Sequence, residues 1–137
     1  AATPNATLIL LARVCANLGD LAHARYWAER AVAADRINAP LHYLRAVILE
    51  EQGLADEALL ALKRALYLAP EFVLAHVALG NLARGAGRAR DANRHFTNAL
   101  GLLGRCKDED LLPHAEGMAV GALRRTIQSV MDGEVST

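Results

Sequence analysis

Gly53-Leu54-Ala55-Asp56-Glu57-Ala58-Leu59-Leu60-Ala61-Leu62-Lys63-Arg64-Ala65-Leu66-Tyr67-Leu68-Ala69-Pro70 carries three marks that recur along the chain. Its glycine stands 34 residues from Gly19 and from Gly87, Ala58 stands 34 from Ala24 and Ala92, and Ala65 stands 34 from Ala31 and Ala99. Three ladders sharing one period describe one structural unit used three times. The small residues mark places where two helices must approach closely, and the glycine between the halves of each unit turns the chain. Helical spacing of the apolar residues predicts helix pairs at about 6–18 and 21–35, 40–52 and 55–69, and 74–86 and 89–103. Leu41-His42-Tyr43-Leu44-Arg45-Ala46-Val47-Ile48-Leu49 is apolar nearly all round, as expected of a helix with neighbours on both sides. The general expectation is of buried inner helices and more exposed outer ones.

Counted from Asn5, Ala39 and Val73, position 8 of each unit is Ala12, Ala46 and Gly80, position 20 is the first alanine ladder and position 27 the second. This pattern resembles the tetratricopeptide repeat (TPR), whose units pack small residues at the same three positions. Position 24 holds Ala28, Leu62 and Phe96, and position 32 holds proline only at Pro70, with Arg36 and Gly104 elsewhere. Position 7, a large apolar site in the family, is Leu11 and Leu79 but Arg45 in the middle unit, where the stem can lie on apolar surface with its head in water. The expected fold is all-α: a TPR solenoid of three helix-turn-helix repeats at 5–38, 39–72 and 73–106, with a capping helix at 116–131 and a frayed tail at 132–137. The cap is expected because Leu123, Ile127, Val130 and Met131 form one apolar stripe that needs a surface to cover. Gly104 to Asp110 is polar, and Pro113 interrupts any continuous helix before it.

Composition narrows the function. The chain has 137 residues, 53% hydrophobic and only 4% aromatic, which suits helices packed through alanine and leucine. Fifteen basic and fifteen acidic residues give zero formal net charge, so no overall field draws nucleic acid or an anionic membrane. The segment Thr7 to Leu18 is too short to span a bilayer and is interrupted by Arg13. Cys15 and Cys106 fall in the first and last units, too distant to bridge, so reduced thiols and a cytoplasmic location are expected. An Ala-Ala-Thr-Pro start suggests a piece of a longer polypeptide.

Catalytic chemistry finds no support. His23, His42, His76, His95 and His114 lie in no metal-binding spacing, so no metal site is expected. Gly80 to Gly87 follows a helix and lacks a phosphate-loop lysine, and no serine sits in a triad pattern, so no catalytic or cofactor-binding residue is assigned. The arginines at 84, 88, 90 and 94 read as a solvated face, because only Phe96 is interleaved with them. What remains is a protein-binding surface on the inner helices. Its candidates are Arg13 and Asn17, then Tyr43, Glu50 and Glu51, then Asn81 and Arg84, above an apolar floor that includes Ile9, Val47, Leu74 and Val77. The carboxylate clamp by which some TPR domains hold chaperone tails is missing, since its positions carry Ile9, Arg13, Leu44, Leu74 and Ala78.

A narrower resemblance rests on Leu41-His42-Tyr43-Leu44, Ile48-Leu49-Glu50-Glu51-Gln52-Gly53, the run Arg64 to His76, Leu79-Gly80-Asn81-Leu82, the run Arg94 to Leu100 and Ala115-Glu116-Gly117-Met118. These strings are similar to the TPR segment that follows the catalytic domain in some chemotaxis receptor methyltransferases of the CheR type, with a departure at Pro113-His114. The resemblance implies a parent that transfers methyl from S-adenosylmethionine to receptor glutamates. It implies for this chain a non-catalytic arm that docks a protein segment: a chemoreceptor, a signalling protein or the parent's own catalytic domain. A general TPR scaffold, such as a secretion chaperone or assembly factor, is the alternative. Replacing Ala58 by Leu should overpack its helix pair and cost about 1–3 kcal/mol, read as a lowered denaturation midpoint; an unchanged midpoint would refute the close approach assigned to position 20.

Overall fold

The computed structural model describes residues 5–113, 115 and 117–133. Among the described residues seven helices follow one another: α1 (Asn5–Asn17), α2 (Leu21–Ala34), α3 (Ala39–Glu51), α4 (Ala55–Leu68), α5 (Val73–Gly85), α6 (Ala89–Leu103) and α7 (Val120–Met131). No strand occurs among the described residues; Leu111 and Ala119 form an isolated antiparallel bridge. The chain divides into two compact units, Ala1–Pro70 and Glu71–Thr137. The first contains α1 to α4 and the second α5 to α7.

Each predicted glycine turn closes in the same way. Gly19, Gly53 and Gly87 have φ of +80°, +79° and +77°, and a Cβ at any of them would meet nothing within 4 Å. Conformation, not space, therefore selects glycine here. The amide after each glycine donates to the carbonyl five residues back: Asp20 to Cys15 at 2.8 Å, Leu54 to Leu49 at 2.9 Å and Arg88 to Ala83 at 2.8 Å. The glycine amides donate to Ala16, Glu50 and Arg84, completing a Schellman motif at the end of α1, α3 and α5. At the start of α2, Asp20 accepts from the His23 amide at 3.2 Å and so caps the helix.

The alanine ladders are buried. Ala24 and Ala58 have no exposure and Ala92 only 2%, while Ala31, Ala65 and Ala99 have none. Positions 8 and 24 are matched in size: the small pair Ala12 and Ala28 share one core cluster, and at the other extreme Gly80 faces Phe96. A Cβ on Gly80 would lie 2.5 Å from the Phe96 ring, so the glycine makes room for the ring between α5 and α6. In the first unit, Leu8, Ala31 and Leu41 form a second cluster on which Ile9 and Val32 pack.

Burial corrects the simple inner-and-outer scheme. α3 buries six residues, as its all-round apolar pattern predicts, but α6, an outer helix, buries four against three on α5. The outer helix α4 buries four as well, through Ala58, Ala61, Leu62 and Ala65, and on α6 the helix α7 adds to the cover: Val120, Leu123 and Ile127 join Ala92, Phe96, Ala99 and Leu103 in one cluster, with Val130 and Met131 against it. The expected apolar stripe thus does cover a helix face. The expected helix start at Glu116 lies outside the described residues, and α7 begins at Val120 rather than continuing from there. Gly117 is left-handed at φ +86°, a conformation no helix contains. The Leu112 amide donates to Met118 at 3.0 Å and the Val120 amide to Asp110 at 2.8 Å, so this stretch folds back on itself before the helix begins. Arg124 then locks the connection: it pairs with Asp108 and donates to the Leu103 carbonyl at 2.8 Å, placing a cation at the C-terminus of α6. His114 and the expected frayed tail beyond Gly133 lie outside the described residues.

The Gly80–Phe96 fit generates a specific expectation. Gly80→Ala should destabilise the protein by about 1–3 kcal/mol, and Phe96→Leu in the same chain should recover part of that loss. Chemical denaturation of the two single variants and the double variant measures the coupling; simple additivity would show that the two sites do not compete for one space.

Candidate functional site

Helix periodicity gathers the predicted residues into stripes within each helix. On α3, Tyr43, Val47, Glu50 and Glu51 follow i, i+4, i+7 and i+8 spacing and share one face. Tyr43 and Val47 are half-buried, whereas Glu50 and Glu51 are exposed at the helix end. On α1, Arg13 is half-buried and Asn17, four residues on, is exposed. These six residues belong to the first unit. Asn81 and Arg84, both exposed on one face of α5, belong to the second.

The expected apolar floor is less open than its pattern suggested. Ile9 packs against the Leu8, Ala31 and Leu41 cluster, and Leu74 and Val77 pack against the cluster built around Phe96 and α7. These side chains are largely committed to the core, because each inner helix leans on its own partner. Leu44, at a clamp position, packs beside Ala12 and Ile48. The carboxylates of Glu50 and Glu51 on α3, and the side chains of Asn81 and Arg84 on α5, are the exposed polar groups of those faces.

Glu50 is the electrostatic point of the α3 face. Desolvation of its carboxyl by the surrounding protein, and secondarily the charge of Glu51, raise its pKa above the ordinary carboxylate value. The residue as a whole remains exposed, so crowding acts on the carboxyl from one side while water screens the other. A partner donor placed there would relieve both effects.

Arg45 is the residue that periodicity misread. Its head is not simply in water: its Nη2 lies 3.5 Å from Glu29 Oε1, and its side chain is only 27% exposed. Glu29 also accepts from Arg25 Nε at 2.8 Å, and Arg25 Nη2 reaches Glu57 Oε2 at 3.0 Å. The hydrogen bond that Arg25 donates to Glu29 is the main reason that the Arg25 pKa is raised, with burial opposing it. One network therefore ties α2, α3 and α4 together through partners that lie in different repeats. No local pattern pairs residues 16 or 32 apart, which is why the sequence did not disclose it.

Other candidate chemistry resolves into structure. His42 is 3% exposed, and its Nε2 donates to the Arg36 carbonyl at 2.8 Å, which pins the α2–α3 connection. Among the described residues no group of three or more His, Cys, Asp and Glu is placed to hold a metal ion. Cys15, half-buried, and Cys106, exposed, are free thiols. Arg84, Arg88, Arg90 and Arg94 are all exposed, with Arg94 paired to Asp91 at 3.4 Å. No described helix is long and apolar enough to cross a membrane.

The raised Glu50 pKa fixes the sign of a pH effect. The folded state holds this proton more tightly than the unfolded chain, so stability falls as pH rises from the ordinary carboxylate range through the raised value. Glu50→Gln should flatten that part of the stability profile and leave the rest unchanged. Thermal unfolding across the acidic range measures this, and an identical profile would remove the strain assigned to the carboxyl.

Comparison with known proteins agrees with this architecture. No curated protein matches the sequence. Among solved structures, the type III secretion translocator chaperone SycD of Yersinia enterocolitica superposes with a TM-score of 0.77 at 12% identity, over 93% of this chain and 80% of that one. The Arabidopsis OM64 TPR domain gives 0.74 at 14% identity over 96% of each chain. MamA gives 0.71 at 21% identity over 75% of this chain, and the match spans only 60% of the MamA chain. At these identities the likeness is one of fold. Residues 39–72 match the family model described as tetratricopeptide repeat, and the chain has the all-α fold of TPR proteins.

Proposed function

We propose that the chain is a non-catalytic protein-interaction module, and that its binding face in the first unit is the α3 stripe of Tyr43, Val47, Glu50 and Glu51. The observation that carries this reading is the composition of that stripe. A half-buried aromatic and a valine sit beside two exposed carboxylates, one of them held above its ordinary pKa, on a helix anchored by the burial of Leu41, Ala46, Ile48 and Leu49. A rigid aromatic loses little entropy on contact, and adjoining carboxylates orient donors on the partner. Arg13 and Asn17 on α1, and Asn81 and Arg84 on α5, are proposed as further contacts.

The partner we propose is a segment of a bacterial chemosensory complex: a chemoreceptor, a signalling protein or the catalytic domain of a CheR-type glutamate methyltransferase to which this chain would be the regulatory arm. That assignment rests on the sequence strings that hold Tyr67, His76, Asn81 and His95, residues that helix packing does not require. It places the chain in the cytoplasm and assigns it no cofactor of its own. A general scaffold or secretion chaperone is the competing reading, favoured by the same fold without those strings.

Tyr43→Ala and Arg84→Ala should each weaken capture of the partner by about 2 kcal/mol while leaving the helical spectrum intact. Binding to a purified receptor cytoplasmic segment and to the methyltransferase catalytic domain is the measurement. Full-strength binding by both folded variants would move the site to another face, and no binding to either protein by the unmodified chain would favour the scaffold reading.

A further inference from the structure

A second surface lies on the first unit, away from the α3 stripe. A cavity of about 370 Å³ is lined by Glu29, Val32 and Ala33 of α2, Arg36 of the α2–α3 connection, His42 and Arg45 of α3, and Arg64 of α4. Arg45 follows Tyr43 by two residues, which turns it to the opposite side of the helix. The lining brings three guanidinium groups to a single carboxylate. That carboxylate, Glu29, is already shared between Arg25 and Arg45. Arg36 and Arg64 are exposed, and their side chains make no ion pair or hydrogen bond among the described residues.

These features have the character of a built receptor rather than a solvated surface. The backbone of Arg36 is fixed by the buried His42, and the same connection is braced by an Asn38 to Asp35 hydrogen bond of 3.1 Å. Arg64 projects from a regular helix whose other face is buried through Ala58, Ala61, Leu62 and Ala65. Val32 and Ala33 give the cavity an apolar wall, and Ile37, next to Arg36, is 81% exposed. Guanidinium forks engage carboxylates in two-point hydrogen bonds, and two of them at one mouth call for two acidic groups. The two arginines come from different elements, which suits acidic residues spaced along a peptide better than one compact anion.

We propose that this cavity is a docking site for an acidic peptide segment of a partner protein, with Arg36 and Arg64 each taking one internal carboxylate and Ile37 meeting an apolar neighbour. The proposal rests on the reading of the chain as an interaction module but not on the identity of its partner or on the α3 stripe. It also differs from the chaperone-tail clamp, because it uses the opposite side of α3 and needs no terminal carboxylate.

The test is fluorescence anisotropy with a dye-labelled peptide, capped at both termini, that contains two glutamate pairs around a leucine. Its counterpart replaces every glutamate with glutamine. The glutamate peptide should bind at least about tenfold more tightly than the glutamine peptide, and raising salt from about 50 to about 300 mM should weaken it. The double variant Arg36→Gln with Arg64→Gln should lose at least about tenfold in affinity, whereas Arg88→Gln with Arg90→Gln should not. Equal binding of the two peptides, no loss in the first double variant, or an equal loss in the second would overturn the site. A phosphoserine peptide that binds about tenfold more tightly than the glutamate peptide would also overturn it, by assigning the cavity to a phosphoryl group. Tyr43→Ala separates the two readings: it should leave the glutamate peptide bound even where capture of the larger partner fails, and its loss of the peptide would refute an independent second site.

Discussion

Close approach between the two helices of each repeat is the constraint from which the rest of this structure follows. With no side chain beyond a methyl at Ala24, Ala31, Ala58, Ala65, Ala92 and Ala99, paired helices can come close, and these alanines are buried. The volume saved at these sites is used at position 24, where the third repeat accommodates a phenylalanine by reducing position 8 to Gly80. Fixing that distance fixes the turn that joins the helices, and the turn in turn demands a left-handed residue. Gly19, Gly53 and Gly87 answer that demand with the same φ and the same pair of hydrogen bonds. Packing and turn chemistry thus specify one another, the agreement between levels expected of a sequence that encodes a single fold.

Such constraints are legible because they repeat. The period of 34 residues reports a backbone requirement at each recurrence, and the seven helices lie close to where apolar spacing placed them. What was not legible depends on contacts made once. The connection after Leu103 looks merely polar in sequence, yet Asp108 and Asp110 offer their carbonyls to the amides that open α7 and Arg124 closes the end of α6. The start of α7 shifted for the same reason, since Gly117 serves a turn that only the folded-back segment requires.

The interaction surfaces divide along this line as well. Tyr43, Glu50 and Glu51 could be singled out because the repeat leaves them unexplained, and helical spacing alone puts them on one face. Arg45 was visible as an exception at an apolar position but not as a member of a network. Its meaning came from Glu29, Arg36 and Arg64, which the structure brings with it to a single cavity. A departure from a repeat pattern marks where to look; its chemistry is decided by residues in neighbouring elements.

These two sides of α3 differ in what they can contribute to recognition. The Tyr43 side has an aromatic anchor next to carboxylates, a combination that gains most of its affinity from burial and so should be sensitive to shape. The cavity side offers guanidinium groups with water around them, which favour fast, salt-dependent encounter over tight binding. A module that carried both could draw an acidic segment in by charge and select its partner by fit, with no movement of the scaffold required. The alanine ladders permit this because they place the stability of the repeat in groups that neither surface uses, leaving position 7 of the middle repeat free to carry an arginine where its counterparts carry Leu11 and Leu79.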